Sequence, residues 1–186
     1  KGLIGFAAGD KGGWEAMGTF DMLNARINGY QYHVDLLAGR EKWTDARTAK
    51  VFEYWEQLIP YMNDNVLDLE WDGAMQLLLQ RKAGAMLMGS WFGGNFKEQS
   101  QEDYDDLWII PFPEIDPANA RDTIDEPVDG FCVAANGASA EGGKDFLAFA
   151  GDMEGVQAML DTGVPMTSAN SGQDTSTYDA FQKQQL

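Results

Sequence analysis

Two tryptophans stand where chemistry could happen. Trp91 follows the run Gly84-Ala85-Met86-Leu87-Met88-Gly89-Ser90, and Trp14 follows Gly9-Asp10-Lys11-Gly12-Gly13. Each comes just after a short apolar stretch that ends in glycine, the pattern of a buried strand opening into a loop. Ligands of open α/β sheets lie beyond such strand ends. A flat indole face stacks on the apolar face of a sugar ring, while nearby carboxylates and amides take the hydroxyls. That is binding chemistry without bond making. The competing reading of each tryptophan is a core residue, because large aromatics dominate cores as well as sites.

Bond-making constellations are missing from the sequence. There is no H-E-x-x-H, C-x-x-C, P-loop or nucleophile elbow. Gly89-Ser90-Trp91-Phe92-Gly93 misses the G-x-S-x-G spacing by one residue. A Ser-His-Asp triad would have to recruit His33, the sole histidine, which by itself makes no metal cluster. The glycine-rich loop at 9–13 lacks the G-x-G-x-x-G order of a phosphate cradle. Asp68-Leu69-Glu70-Trp71-Asp72-Gly73 opens like a calcium loop, but its twelfth position is Leu79, so the calcium reading fails. No cofactor or metal is implied. A paired-carboxylate glycosidase stays open, since acidic residues abound.

Several elements must position these loops. Residues 3–8 read as a buried strand. A helix starts near Trp14, with Met17, Phe20, Leu23 and Ile27 at helical spacing, and Asn28-Gly29 ends it. A short helix spans 30–39. Thr44 reads as the N-cap of a helix of about five turns, whose apolar face is Val51, Phe52, Trp55, Leu58, Ile59 and Met62, with Pro60 near its end. Asp72 caps or opens a helix carrying Met75, Leu78 and Leu79, which feeds the strand before Trp91. Further strands are expected at 107–113 and 128–134, and a pair of helices at 140–150 and 153–160. The remaining tail is polar, with a helix start near Tyr178.

Composition bounds the partners. The 186 residues carry 13 basic and 30 acidic side chains, a net charge of -17. That argues against nucleic acid and against anionic membranes, both of which need clustered Lys and Arg. Cys132 is the only cysteine, so no internal disulfide can form, and its apolar neighbours suggest a small buried hydrophobe. No apolar stretch reaches the ~18 residues of a membrane span. Lys1 leads straight into a strand-like run without a signal peptide, as expected of a chain cut from something longer.

Taken in order, these motifs resemble the extracellular solute-binding proteins of ABC importers, the family-1 carbohydrate-binding group that includes maltose-binding protein. The carriers are the loop from Gly9 to Trp14, Leu36-Leu37-Ala38-Gly39 with Trp43-Thr44-Asp45, and Lys82-Ala83-Gly84-Ala85-Met86 running to Gly89-Ser90-Trp91. Ile110-Pro111-Phe112-Pro113, Asp129-Gly130-Phe131-Cys132-Val133, and the helix pair ending at Gly163-Val164-Pro165 follow. One departure is Arg81-Lys82-Ala83-Gly84, where the family has glycine before the lysine. Another is Glu126-Pro127-Val128, where it usually has glycines.

The resemblance implies an α/β fold, a periplasmic-binding-protein-like (type II) lobe, helix-rich around a short mixed sheet. Residues 1–128 would be most of the second lobe. Residues 129–186 would be a hinge strand and helices belonging to the first lobe, with the N-terminal lobe segment and C-terminal helices missing. Trp14 and Trp91 would stack on sugar, Asp129 and Gly130 would line the cleft wall, and Asp10, Glu15 and Phe92 would make weaker contacts. Trp43, Trp55, Trp71 and Trp108 go to core or lobe surface. The implied protein is a non-catalytic, exported monomer, periplasmic or tethered to the outer face of the membrane as a lipoprotein. It would bind an oligosaccharide and dock on an ABC permease. The rivals are a secreted glycoside-processing enzyme using the same aromatics and a structural acidic domain.

Overall fold

The computed structural model describes residues 4–119, 122–126 and 130–186. The chain divides into two compact units, residues 1–88 with 110–126 and residues 89–109 with 127–186.

The first unit is built on a parallel strand pair, β1 (Ile4–Ala7) and β2 (Ala83–Met86), with Ile4 opposite Ala83 and Phe6 opposite Ala85. Among the described residues this parallel pair stands where the resemblance implied a short mixed sheet. Four helices connect the strands: α1 (Glu15–Asn28), α2 (Tyr30–Leu37), α3 (Ala46–Leu58) and α4 (Trp71–Leu79). Phe20, Leu23 and Ile27 of α1 pack with Tyr32, Leu36 and Val51 into the main core. Ala7, Ala74 and Ala83 form a second cluster, in which small side chains let α4 lie close on the strands. Met17, expected on the apolar face of α1, is instead 63% exposed.

Helix α3 starts one residue later than expected. Asp45 is its cap, accepting a hydrogen bond from the Arg47 amide at 2.8 Å, and Thr44 lies outside. It is also shorter, because Pro60 has no amide to continue the helical ladder; Ile59–Tyr61 closes as a 3₁₀ turn. Of its expected apolar face, Val51 is fully buried, whereas Phe52 and Ile59 are exposed.

Helix α4 ends in a Schellman turn. The Lys82 amide donates to the Leu77 carbonyl and the Arg81 amide to that of Leu78, both at 2.8 Å. Arg81 therefore carries a φ of 56°, in the left-handed region that glycine occupies without strain. A left-handed non-glycine residue costs about 1–2 kcal/mol. Arg81→Gly is expected to stabilise the chain by about 0.5–1 kcal/mol, net of the interaction its side chain makes and of glycine's greater entropy loss. The midpoint of urea denaturation reads this, and an unchanged or lower midpoint refutes it.

The second unit contains α5 (Gly93–Gln99), α6 (Gln101–Asp105), α7 (Ala140–Gly151), α8 (Met153–Leu160) and α9 (Ala180–Lys183). Phe92, Phe96, Tyr104, Tyr178 and Phe181 are its buried aromatics. A Cβ on Gly93 would overlap the Phe181 ring, so glycine sets how closely α9 approaches α5. Asp179 caps α9 in a reciprocal capping box with Gln182 and accepts the Tyr104 hydroxyl at 2.8 Å. Burial alone would raise the Asp179 carboxyl. The Gln182 amide, the Tyr104 hydroxyl and Lys97 outweigh it and hold the group below the usual range.

Two expected strands are not formed among the described residues. Residues 107–113 and 130–134 run without ladder partners, and Trp108, Ile110 and Phe131 are exposed. An apolar run becomes a strand only when a neighbour satisfies its amides and carbonyls. Cys132, expected to be buried, is an exposed free thiol for the same reason. The helix pair α7–α8 forms as expected, with Asp152 capping α8 through the Gly155 amide at 2.9 Å.

Candidate functional site

Beyond the carboxyl ends of β1 and β2 lies a half-open cavity of about 60 Å³. Phe6 to Asp10 border it from β1 and Met86 to Met88 from β2. Glu15, Ala16 and Thr19 reach it from α1, and Trp55, Met62 and Val66 complete the wall. This is where parallel sheets present their ligand sites.

The strand end is held in place by a side chain that imitates a third strand. Asn63 is buried, accepts from the Ala8 amide at 2.8 Å, and donates back to the Ala8 carbonyl at 2.9 Å. Beside it, Met62 bridges Phe6 in the parallel sense. Asn63→Ala removes both bonds from Ala8 and is expected to cost about 2 kcal/mol. Faster amide hydrogen exchange at Ala8 and a lower denaturation midpoint should accompany it; unaltered exchange would contradict the clamp.

The loop after β1 is stitched to residues 66–70. The Asp10 amide donates to the Val66 carbonyl and the Lys11 amide to that of Leu69, each at 2.9 Å. A Cβ on Gly9 would overlap the Glu70 carbonyl, so only glycine permits this approach. Trp14 then occupies the N-cap position of α1 without a side-chain cap. Asp10 takes over that role, its Oδ1 accepting from the Ala16 amide at 2.9 Å. An aromatic can therefore sit at the helix entrance, 45% exposed. A Cβ placed on Gly12 would lie 3.2 Å from the Trp14 ring and 3.0 Å from Glu70 Oε2, so indole and carboxylate flank one point.

Glu15 also works structurally. Its Oε1 accepts from the Trp71 amide at 3.0 Å, placing a carboxylate at the amino end of α4. Its Oε2 is buried with no hydrogen-bond partner among the described residues. Asp10, Trp14 and Glu15 thus belong to one loop-and-helix entrance in the first unit, with Asp10 and Glu15 on the cavity wall.

Trp91 lies in the second unit, on a 3₁₀ turn (Ser90–Phe92), 47% exposed. A Cβ on Gly89 would overlap its ring, so that glycine seats the indole. Its neighbour Phe92 points inward. It is 7% exposed and packs edge-on against Phe96 at 4.8 Å, so its side chain serves the core of the second unit rather than a surface contact. Gly130 is exposed, lies outside any helix or strand, and an added Cβ there would meet nothing within 4 Å among the described residues. Asp129 lies outside the described residues.

Trp55 on the cavity wall and Glu70 near Trp14 are two residues that the sequence does not point to as part of the site. Trp55 was assigned to core or lobe surface by its helical spacing, and it does pack on the main core, but it also borders the cavity. Glu70 comes to the Trp14 ring only through the contact at Gly9. Neither has a local sequence signal, because a long-range approach creates both positions.

The sequence pattern of the bacterial extracellular solute-binding proteins matches residues 1–157. An uncharacterised ABC-transporter extracellular-binding protein of Pyrococcus horikoshii is 29% identical over 154 residues, 83% of this chain and 33% of that protein. Among solved structures, the bacterial solute receptor AcbH superposes with a TM-score of 0.90 at 38% identity, covering 98% of this chain and 46% of the receptor chain. That receptor is described as having an exclusive preference for β-D-galactopyranose. The chain thus spans less than half the length of either protein.

Proposed function

The chain belongs to the bacterial extracellular solute-binding proteins, and on that premise we propose that it serves as the carbohydrate-binding component of an ABC importer. The observation that carries the reading is the half-exposed Trp14 at the entrance of α1, which with the Glu70 carboxylate flanks one point at Gly12 and directly precedes Glu15 on the cavity wall. A half-exposed indole with carboxylates close by suits a sugar, which offers an apolar ring face and a fringe of donor hydroxyls. The 38% identity to a sugar receptor supports the same class.

In this reading Trp14 and Trp91 are stacking platforms, and Asp129 and Gly130 belong to a cleft wall. The ligand is an oligosaccharide, gripped between two lobes that close by hinge motion, and the closed form docks on a membrane permease. Residues 1–128 contribute most of one lobe and 129–186 the hinge and helices of the other. The protein works outside the cell, in the periplasm or tethered as a lipoprotein, as a monomer without catalysis. No observation in the structure favours the glycoside-processing alternative over binding.

The test is intrinsic tryptophan fluorescence of the full-length protein, titrated with D-galactose, D-glucose, D-xylose, maltose and longer oligosaccharides. Saturable quenching or enhancement by at least one sugar, with the sugar recovered intact, is expected. Silence from the whole panel, or cleavage of the sugar on long incubation, would sink the proposal.

A further inference from the structure

We propose that Asn63 is a positioning residue of the sugar site. Its buried side-chain amide holds the end of β1 and the turn that follows Asn63 itself, so that the glycine loop presents Trp14 to the ligand already in place. The inference rests on the carbohydrate-binding reading. It adds a residue that is remote from the loop in sequence and is not on the cavity wall.

The loop that carries Trp14 has little order of its own. Gly9, Gly12 and Gly13 stand among its residues, and Gly13 takes a φ of 79°. Glycine loses more conformational freedom on ordering than any other residue. A stacking residue on a loose glycine loop would have to be fixed at every binding event, and that cost lowers affinity. Order here is imposed from outside. The Val66 and Leu69 carbonyls take the Asp10 and Lys11 amides, each at 2.9 Å. The loop is therefore as well placed as the segment that holds these two carbonyls.

Asn63 stands at the root of that segment. An asparagine side chain has one acceptor oxygen and two N–H donors, and here all three are used. Oδ1 accepts from the Ala8 amide at 2.8 Å, and Nδ2 donates to the Ala8 carbonyl at 2.9 Å. Nδ2 also donates to Asn65 Oδ1 at 3.1 Å. The first two bonds fix the end of β1. The third fixes Asn65, at the cap of the 3₁₀ turn Val66–Asp68, and the Val66 carbonyl receives the Asp10 amide. One side chain thus closes a ring from Ala8 through Asn63, Asn65 and Val66 to Asp10. Asp10 in turn caps Ala16, so Trp14 lies between two anchored residues. Turning the amide over would set its N–H groups against the Ala8 amide and its oxygen against the Ala8 carbonyl, so a single orientation serves. At 6% exposed, Asn63 is sheltered from competing water. The bond to Asn65 is the part that a clamp on the strand alone does not need.

The test is a double-mutant cycle on the full-length protein, read by calorimetry with whichever sugar of the fluorescence panel binds most tightly, beginning with D-galactose. Asn63→Ala should weaken binding by about 3- to 10-fold under conditions where urea denaturation shows it folded. Because Asn63 acts through Trp14, Asn63→Ala combined with Trp14→Ala should bind no more than about twofold worse than Trp14→Ala alone. A purely structural role would not produce this coupling. If Asn63→Ala does not fold, Asn63→Asp takes its place, keeping the acceptor for the Ala8 amide and losing both donors. Amide exchange on the natural protein gives a readout without any variant: before sugar is added, the Ala8, Asp10 and Lys11 amides should exchange at least about 100-fold more slowly than in an unstructured chain. A folded Asn63 variant with unchanged affinity, losses that multiply in full across the cycle, or loop amides that exchange freely until sugar arrives would each overturn the inference while sparing the carbohydrate reading. Failure of every sugar removes both.

Discussion

Replacing Trp14 by alanine should weaken sugar binding by about 10- to 100-fold and barely disturb folding. The indole is 45% exposed. Covering about 60–110 Å² of apolar ring at roughly 25 cal/mol per Å² yields about 1.5–3 kcal/mol, and each 1.4 kcal/mol is about tenfold in affinity. Stability should change by less than about 1 kcal/mol, because Asp10 rather than Trp14 caps the Ala16 amide. Phe92→Ala is the informative control. That ring is buried against Phe96, so its loss should cost about 3 kcal/mol of stability and act on affinity only through folding. Calorimetric titration and urea denaturation of both variants check the pair. Should Trp14→Ala bind sugar as well as the wild type, the stacking assignment is wrong.

The second large effect is on folding. Arg26 is fully buried near the carboxyl end of α1, and it reaches a distant segment. Its Nε donates to the Phe112 carbonyl at 3.2 Å and its Nη1 to that of Thr123 at 2.7 Å. Asn119 returns the connection, donating to the Ile27 carbonyl at 2.8 Å. The planar guanidinium fork thus fastens residues 110–119 and 122–126, which form no helix or strand, to a helix they follow by some ninety positions. Arg26→Met removes both donors and leaves two carbonyls to find others, at an expected cost of about 3 kcal/mol. That is a large share of the ~5–15 kcal/mol a domain possesses. Arg26→Lys should recover little of it, since one ammonium cannot span both carbonyls. Denaturation midpoints give the magnitude, and limited proteolysis should show early cutting within 110–126. A variant with an unchanged midpoint and no new cleavage would show that the segment is held otherwise.

These two residues illustrate how unevenly sequence speaks. Trp14 and Trp91 could be singled out because glycines frame them after short apolar runs, a local pattern with a local cause. Arg26 gave no such sign. Its importance arises from carbonyls that the sequence places far away. The same distinction explains the corrected details. Helical spacing identified α1 and α3, yet it could not tell Val51 from Phe52, since both lie on one apolar stripe and only the packing of α1 on α3 selects which is covered. Apolar composition suggested strands at 107–113 and 128–134. A strand, unlike a helix, needs a partner that its own sequence does not contain.

What the chain's sequence determined alone was therefore whatever depends on near neighbours. That includes the helices and several of their stop signals, the strand–loop–aromatic pattern, the acidic charge, and the family to which these motifs belong. The tertiary structure decided whatever depends on approach between remote segments. It made Asp10 the cap of α1 and tied Glu15 to α4 by one oxygen, the other having no hydrogen-bond partner among the described residues. It turned Phe92 inward and left Trp14 half in the open. The physical reason is the same each time: a helix closes its hydrogen bonds within itself, whereas burial, strand pairing and the choice between capping and binding depend on what else arrives.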